Sequence, residues 1–194
     1  AASILASKLG ARKTLARINN YEYLLPKNKE LFEKLGIHSM IYPEMLAARE
    51  IVSAIRRPWT RQYWELFGGA LILLGVKVRE NSRLLNEQKL YHIVAIKRQY
   101  ETIIPRGTDF ILPGDIVFFT TTKEHIKDVQ MHAGKKDPEV KKVFIMGGSR
   151  IAIRTSQYLP NNIRVKILET NKEKSHRIAE VVPSNVLIIN GDGR

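Results

Sequence analysis

The sequence contains no cysteine. That excludes a disulfide framework, thiolate zinc and cysteine nucleophiles, and it fits a reducing compartment. Long apolar runs are missing too. The longest, around Gly69–Val76, falls far short of the roughly 18 residues that a membrane-spanning helix needs. No charged-then-apolar leader opens the chain. A soluble, intracellular protein is therefore expected. Acidic residues are in deficit, 19 Asp+Glu against 32 Lys+Arg, for a net charge of +13. Such an excess draws polyanions non-specifically. It is spread along the chain rather than gathered into a tail, so a nucleic acid is not the preferred partner. Catalytic signatures are also absent: there is no G-x-S-x-G, no H-E-x-x-H and no Walker loop. The five histidines (His38, His92, His125, His132, His176) show no metal-ligand spacing.

What remains has the balance of an ordinary globular protein, with 194 residues, 44% hydrophobic and 26% charged. That is enough for one large or two small domains. Neither Ala1 nor the closing Gly-Asp-Gly-Arg reads as a natural domain edge, so trimmed ends are expected.

Three zones follow one another. Residues 1–60 alternate helix-like and strand-like segments: a helix over Ala2–Leu9, a strand over Lys13–Ile18, a turn at Asn19–Asn20, a helix over Pro26–Leu35, a strand over Ile37–Tyr42 and a helix over Glu44–Arg57. Gly10, Gly36 and Pro58 supply the stops. This alternation is the pattern of a parallel α/β sheet. Residues 61–132 differ. Strands are expected over Leu71–Val78, Tyr91–Lys97, Glu101–Ile104 and Ile116–Thr120, a hairpin at Lys97–Glu101 and a helix over Thr122–Met131. Strand clusters with a segregated helix indicate an α+β module. A small, charged linker with one proline covers 133–141. Residues 142–194 return to a β-α-β-α-β order, with strands over Val143–Met146, Arg164–Glu169 and Val186–Ile189 and helices over Ser149–Leu159 and Lys172–Val181.

The chemistry-bearing run is Val143-Phe-Ile-Met-Gly147-Gly148-Ser149-Arg150-Ile151-Ala152. An apolar strand meets two glycines and then a helix, so backbone amides and the positive end of a helix dipole converge where a phosphate can sit. A dinucleotide site also wants an acid at the tip of the next strand, about 20 residues on, for the ribose hydroxyls. Glu169 stands 22 residues after Gly147 and ends its strand. Against G-x-G-x-x-G the run reads Gly147, Ser149 and Ala152. Alanine is accepted in the last place, while a serine in the middle place crowds the approach to a pyrophosphate. The same run also reads as a strand-to-helix turn with no ligand. Gly191 and Asp192, just after the third strand, fall on the ligand-facing edge of such a sheet, or form a simple turn.

Two other features bear on function. Arg56, Arg57, Trp59, Arg61, Tyr63 and Trp64 form a basic-aromatic cluster that could stack on bases, but near a proline it reads better as a packing and interface patch. The dinucleotide fingerprint also serves NAD-dependent oxidoreductases, which need a proton donor beside the nicotinamide. Only Tyr158, on the first helix of the unit, offers itself, and no catalytic set is found. No enzymatic activity is expected.

Taken together, three stretches resemble the tandem RCK (KTN) family of cytosolic regulators of bacterial potassium uptake. Lys13–Asn19 is similar to a late strand of the family's first nucleotide-binding half. Val76–Ser82, Ile103–Gly107 and Leu112–Asp115 are similar to its regulatory C-terminal module. Gly147–Ala152 with Glu169, Gly191 and Asp192 resembles the opening of the second half. The resemblance implies an α/β fold in which partial Rossmann-like units (1–60 and 142–194) flank, in sequence, an α+β module (61–132). It implies a homo-oligomer, a dimer or a larger ring, bound from the cytoplasmic side to a membrane-embedded Trk potassium transporter subunit. It implies a nucleotide ligand, NAD or NADH, with ATP or ADP as alternatives. Gly147, Gly148, Ser149, Arg150 and Ile151 would line the phosphate loop, Glu169 would hold the ribose, Gly191 and Asp192 would edge the crevice, and Arg17 would belong to the first site. The helix over Glu44–Arg57 would cross over to pack on a partner subunit, and its apolar face equally fits an internal core. The stretch Leu85–Leu90 is shorter than the family leads one to expect.

Overall fold

A computed structural model describes residues 1–80, 82, 91–106, 108–136 and 138–193. Leu85–Leu90, Gly107 of the Ile103–Gly107 stretch and Asp137 of the linker lie outside the described residues. The chain divides into two compact units, one made of 1–51 with 142–194 and the other of 52–141.

In the first unit, β1 (Leu15–Arg17) and β2 (Ser39–Ile41) form a parallel pair, and β8 (Lys142–Met146), β9 (Arg164–Glu169) and β10 (Val186–Asn190) form a parallel sheet in the order β10-β9-β8. The helices are α1 (Ala2–Lys8), α2 (Pro26–Lys34), α5 (Arg150–Tyr158) and α6 (Lys172–Ala179), while α3 (Pro43–Arg56) begins in this unit and ends in the second. Val165 and Ile167, alternate residues of the central strand β9, are buried together with Ala152, Leu159 and Ile178 from the α5 and α6 segments. Lys166 between them is exposed, as a period of two requires. Helix ends follow their caps: Ser149 Oγ accepts from the Ala152 amide at 3.2 Å and Asn171 Oδ1 from the Lys174 amide at 2.9 Å. Asn20 does not make a bare turn. It caps a 3-10 segment over Tyr21–Leu24 through the Glu22 amide.

In the second unit, β3 (Gln62–Leu66), β4 (Leu71–Lys77), β5 (His92–Arg98), β6 (Glu101–Ile103) and β7 (Ile116–Thr121) form an antiparallel sheet in the order β3-β4-β7-β5-β6, joined by α4 (Ile126–His132). Ile72, Leu74, Val76 and Val78 point inward at every second position and pack with Val117, Phe119, Trp59, Tyr91 and Val129. The expected hairpin is present: β5 and β6 pair around Gln99-Tyr100, with Gln99 in the left-handed region at φ 51°. Two expectations change. Gln62–Leu66, placed within a basic-aromatic patch, is an edge strand with Tyr63 and Leu66 half-buried. The helix expected from Thr122 begins only at Ile126, because β7 runs on through Thr121 and a turn closes from the His125 amide to the Thr122 carbonyl at 3.2 Å. The α/β and α+β combination is otherwise as the sequence indicates.

Candidate functional site

The carboxyl ends of β8, β9 and β10 lie side by side, and the residues expected there gather around one carboxylate. The two glycines are required for different reasons. Gly147 sits at φ 93° with open space where a Cβ would stand, so its backbone conformation demands glycine. At Gly148 a Cβ would overlap the Ile178 side chain and stand 2.9 Å from Glu169 Oε2, so it is space that demands glycine. The Gly147 amide is bound to the Leu168 carbonyl at 2.8 Å, and the Gly148 amide donates to Glu169 Oε2 at 3.0 Å.

Ser149 turns its hydroxyl toward the helix to cap α5. The amides of Ser149, Arg150 and Ile151 donate to no protein group among the described residues. These are the orphan donors of a helix N-terminus, and together with the dipole such donors favour an anion. The Arg150 side chain is committed elsewhere. Its guanidinium donates to the Asn19 carbonyl at 2.8 Å and pairs with Glu44 at 3.0 Å, tying α5 to the segment after β1 and to α3. Arg154 stacks over the Tyr21 ring at 4.0 Å, on the same side.

Glu169 is the hub, and only 7% of it is exposed. Oε2 accepts from Gly148 and pairs with Lys174 Nζ at 2.5 Å, while Oε1 accepts from the Asn171 amide at 3.1 Å and the Thr170 hydroxyl at 3.3 Å. The Lys174 hydrogen bond first, then the backbone amides, hold its pKa down to about 2 against the opposing effect of burial. The β9 end is tied to β10 as well. Asn190 Nδ2 donates to the carbonyls of Glu169 and Thr170, and the Gly191 amide donates to the Glu169 carbonyl at 3.1 Å. Asp192 follows, exposed at the edge.

The structure thus brings Gly147, Gly148, Ser149, Ile151, Glu169, Gly191 and Asp192 to one sheet edge. Arg17 ends β1 in the separate two-stranded sheet and touches none of them in any hydrogen bond or ion pair. Lys174, Asn171 and Asn190 were not singled out from the sequence. An Asn two residues after a strand-ending acid, with a Lys three further on, is the pattern that marks a capped helix whose first turn leans back on the carboxylate.

No protein-family model matches the chain. It is 30% identical over 190 residues to the Trk system potassium uptake protein TrkA of Haemophilus influenzae, covering 92% of this chain and 41% of that protein. The TrkA of Halomonas elongata is 28% identical over 184 residues (90% and 40% covered), and TrkA homolog 2 of Methanosarcina mazei 25% over 191 (93% and 42%). The chain thus spans about two fifths of the length of these curated relatives. Among solved structures, the GsuK channel superposes with a TM-score of 0.60 at 13% identity, covering 98% of this chain and 34% of that one. The GsuK channel bound to NAD gives 0.57 at 15% identity (98% and 34%), and the GsuK RCK domain 0.53 at 14% (94% and 44%). The resemblance read from the glycine loop, Glu169 and the central module holds: the chain is a relative of the TrkA proteins, with the fold seen in the GsuK RCK domain.

Proposed function

We propose that this relative of the TrkA proteins is part of a cytoplasmic, nucleotide-sensing regulator of Trk-type potassium uptake. It has no chemistry of its own. The observation that carries the reading is the sheet edge just described, with three unpartnered amides at the start of α5, a glycine pair shaped for close approach, and an ionised carboxylate at the tip of the next strand. A pyrophosphate fits the amides and the ribose diol belongs on Glu169. NAD or NADH is the ligand proposed, with ATP or ADP as the alternative. A relative in fold, the GsuK channel, has been solved with NAD bound, which supports that choice.

Glu169 already carries Lys174, whose side chain is 42% exposed. Ribose hydroxyls would take over the bond to Oε2 and release the ammonium to solvent. Binding is then an exchange of partners on a fixed carboxylate, and it frees the first turn of α6. The domain bounds read from sequence, two partial Rossmann-like units around the α+β module, belong to this proposal. So does assembly with further copies: Leu46 and Ile51 on α3 are 47% and 41% exposed, a surface that suits a partner subunit. Gating of a membrane-embedded Trk subunit, from the inner face of the membrane, requires the nucleotide to bind one conformation more tightly than another.

The test is thermal stability against NAD, NADH, ATP and ADP. A ligand at 100 times its dissociation constant adds about 2.7 kcal/mol. Stabilisation by one nucleotide, lost in Gly147→Val, supports the reading, and a flat response to all four removes it.

A further inference from the structure

The second unit holds a concentration of positive charge that the nucleotide site does not use. Two adjoining grooves of about 470 and 430 Å³ share Lys77, Arg79 and Gly134, and Arg61, Lys135 and Lys136 line the second. The strand pattern explains the placement. Val76 and Val78 turn into the core, so Lys77 and Arg79 project together on the opposite face. Arg61 is fixed where β3 begins, its amide on the Gly75 carbonyl at 2.7 Å. Gly134, at φ 62°, turns the chain after α4 and delivers Lys135, whose amide binds the Gln130 carbonyl at 3.0 Å.

None of these five cations has an acidic partner among the described residues, and Glu80 is the only described carboxylate lining either groove. Lys135 is half-buried, and burial together with Arg79, Arg61 and Lys77 holds its pKa below the ordinary lysine value. Five cations around one concavity, with no acidic partner among the described residues, repel one another, and an anion relieves that repulsion. Two of the five are arginines, whose planar forks match phosphate oxygens, and the lysines add point charges. Trp59 and Pro58 give the groove an apolar wall.

We propose that this groove is a binding site for a multivalent phosphate anion, a soluble oligophosphate of the pyrophosphate or tripolyphosphate class. The groove belongs to the second unit and the nucleotide seat to the first, and the proposal does not depend on that seat.

Calorimetric titration of the chain with tripolyphosphate, at about 50 mM salt so that screening stays weak, tests the idea. The Arg79→Gln/Lys135→Gln double variant is expected to bind roughly tenfold or more weakly, the loss that goes with charge-assisted contacts. Lys142→Gln/Arg164→Gln removes the same charge at the exposed starts of β8 and β9 and is expected to stay within about twofold of the parent. Melting without ligand guards against a folding artefact, because relief of repulsion should raise the groove variant's Tm at low salt. Equal loss in both double variants, or no binding by the parent chain, would overturn the site. So would adherence to anionic-lipid vesicles through these residues that tripolyphosphate fails to displace.

Discussion

Glu169 in the first unit and Asp115 in the second are built from the same parts. Each carboxylate is nearly covered, at 7% and 3% exposure. Each accepts a loop amide, from Gly148 or from Leu112, and each carries one cation. The cations differ. Arg98 grips Asp115 with two parallel bonds, Nε to Oδ1 at 3.0 Å and a terminal nitrogen to Oδ2 at 2.8 Å, and also reaches the Phe110 carbonyl. Lys174 touches Glu169 through one ammonium at the end of a half-exposed stem. A fork that fills both oxygens and a carbonyl makes a clamp. A single flexible point charge makes a partner that another donor can replace. The difference separates a carboxylate that only holds loops from one that, under the proposed function, also exchanges its partner for a ligand.

The largest effect should follow from breaking the clamp. Asp115→Ala leaves Arg98 without its fork and the Leu112 amide without an acceptor, at a cost of about 2–3 kcal/mol. Both tryptophans, Trp59 and Trp64, lie in the second unit, so fluorescence-monitored urea unfolding reads this loss directly. Nucleotide response should be untouched. Glu169→Ala should instead cost the first unit on the order of 1–2 kcal/mol, reduced by the solvent exposure of Lys174, and abolish nucleotide stabilisation. The tryptophan-reported transition should stay in place. If it moves as far as in Asp115→Ala, the units unfold as one block and the comparison collapses.

Acid sharpens the contrast further. The Glu169 pKa is lowered from 4.5 to about 2, so its contribution is complete above the unfolded value and is lost as the pH falls from about 4.5 toward 2. Asp115 is lowered as well, by the Arg98 hydrogen bond first, and has the same sign. Carboxyl-resolved NMR titration should show Lys174→Met raising the Glu169 midpoint while leaving Asp115 unmoved. The same variant should bind the nucleotide more tightly, because the ribose no longer competes with an ammonium. Weaker binding would mean that Lys174 is itself a ligand contact.

Most of this was legible from the chain, for identifiable reasons. The central strand β9, buried on alternate positions, announces itself through Val165 and Ile167, and Gly147 through the turn that only glycine allows. β3 was hidden because Gln62–Leu66 is an edge strand whose aromatic residues do not alternate cleanly in and out. The α4 start was hidden because Thr121 and Thr122 suit a strand end as well as a helix cap. Lys174 could not be seen as part of the site. A lysine in a solvated first turn looks ordinary until the fold shows that the carboxylate five residues earlier points at it. The basic groove was equally invisible, since Arg61, Lys77, Arg79 and Lys135 come together only through the pairing of β3 with β4 and the turn after α4.

Ser149 supplies the smallest and most discriminating test. From sequence its side chain looked like an obstacle in the phosphate loop. In the fold its hydroxyl faces the Ala152 amide and caps α5. Replacing a capping serine with glycine costs only a few tenths of a kcal/mol, so Ser149→Gly should barely lower the melting temperature. If the seat at α5 takes a pyrophosphate, the freed space at the amides of Ser149, Arg150 and Ile151 should tighten nucleotide binding several-fold, about 1 kcal/mol on the affinity scale. Ser149→Ala removes the cap but keeps the Cβ, so it should cost about 1 kcal/mol of stability with no gain in affinity. Opposite movements of stability and affinity in these two variants would show that the hydroxyl serves the helix while the Cβ limits the ligand. Parallel movements would show that the cap itself organises the seat, and the exchange at Glu169 would then be the sole lever on binding.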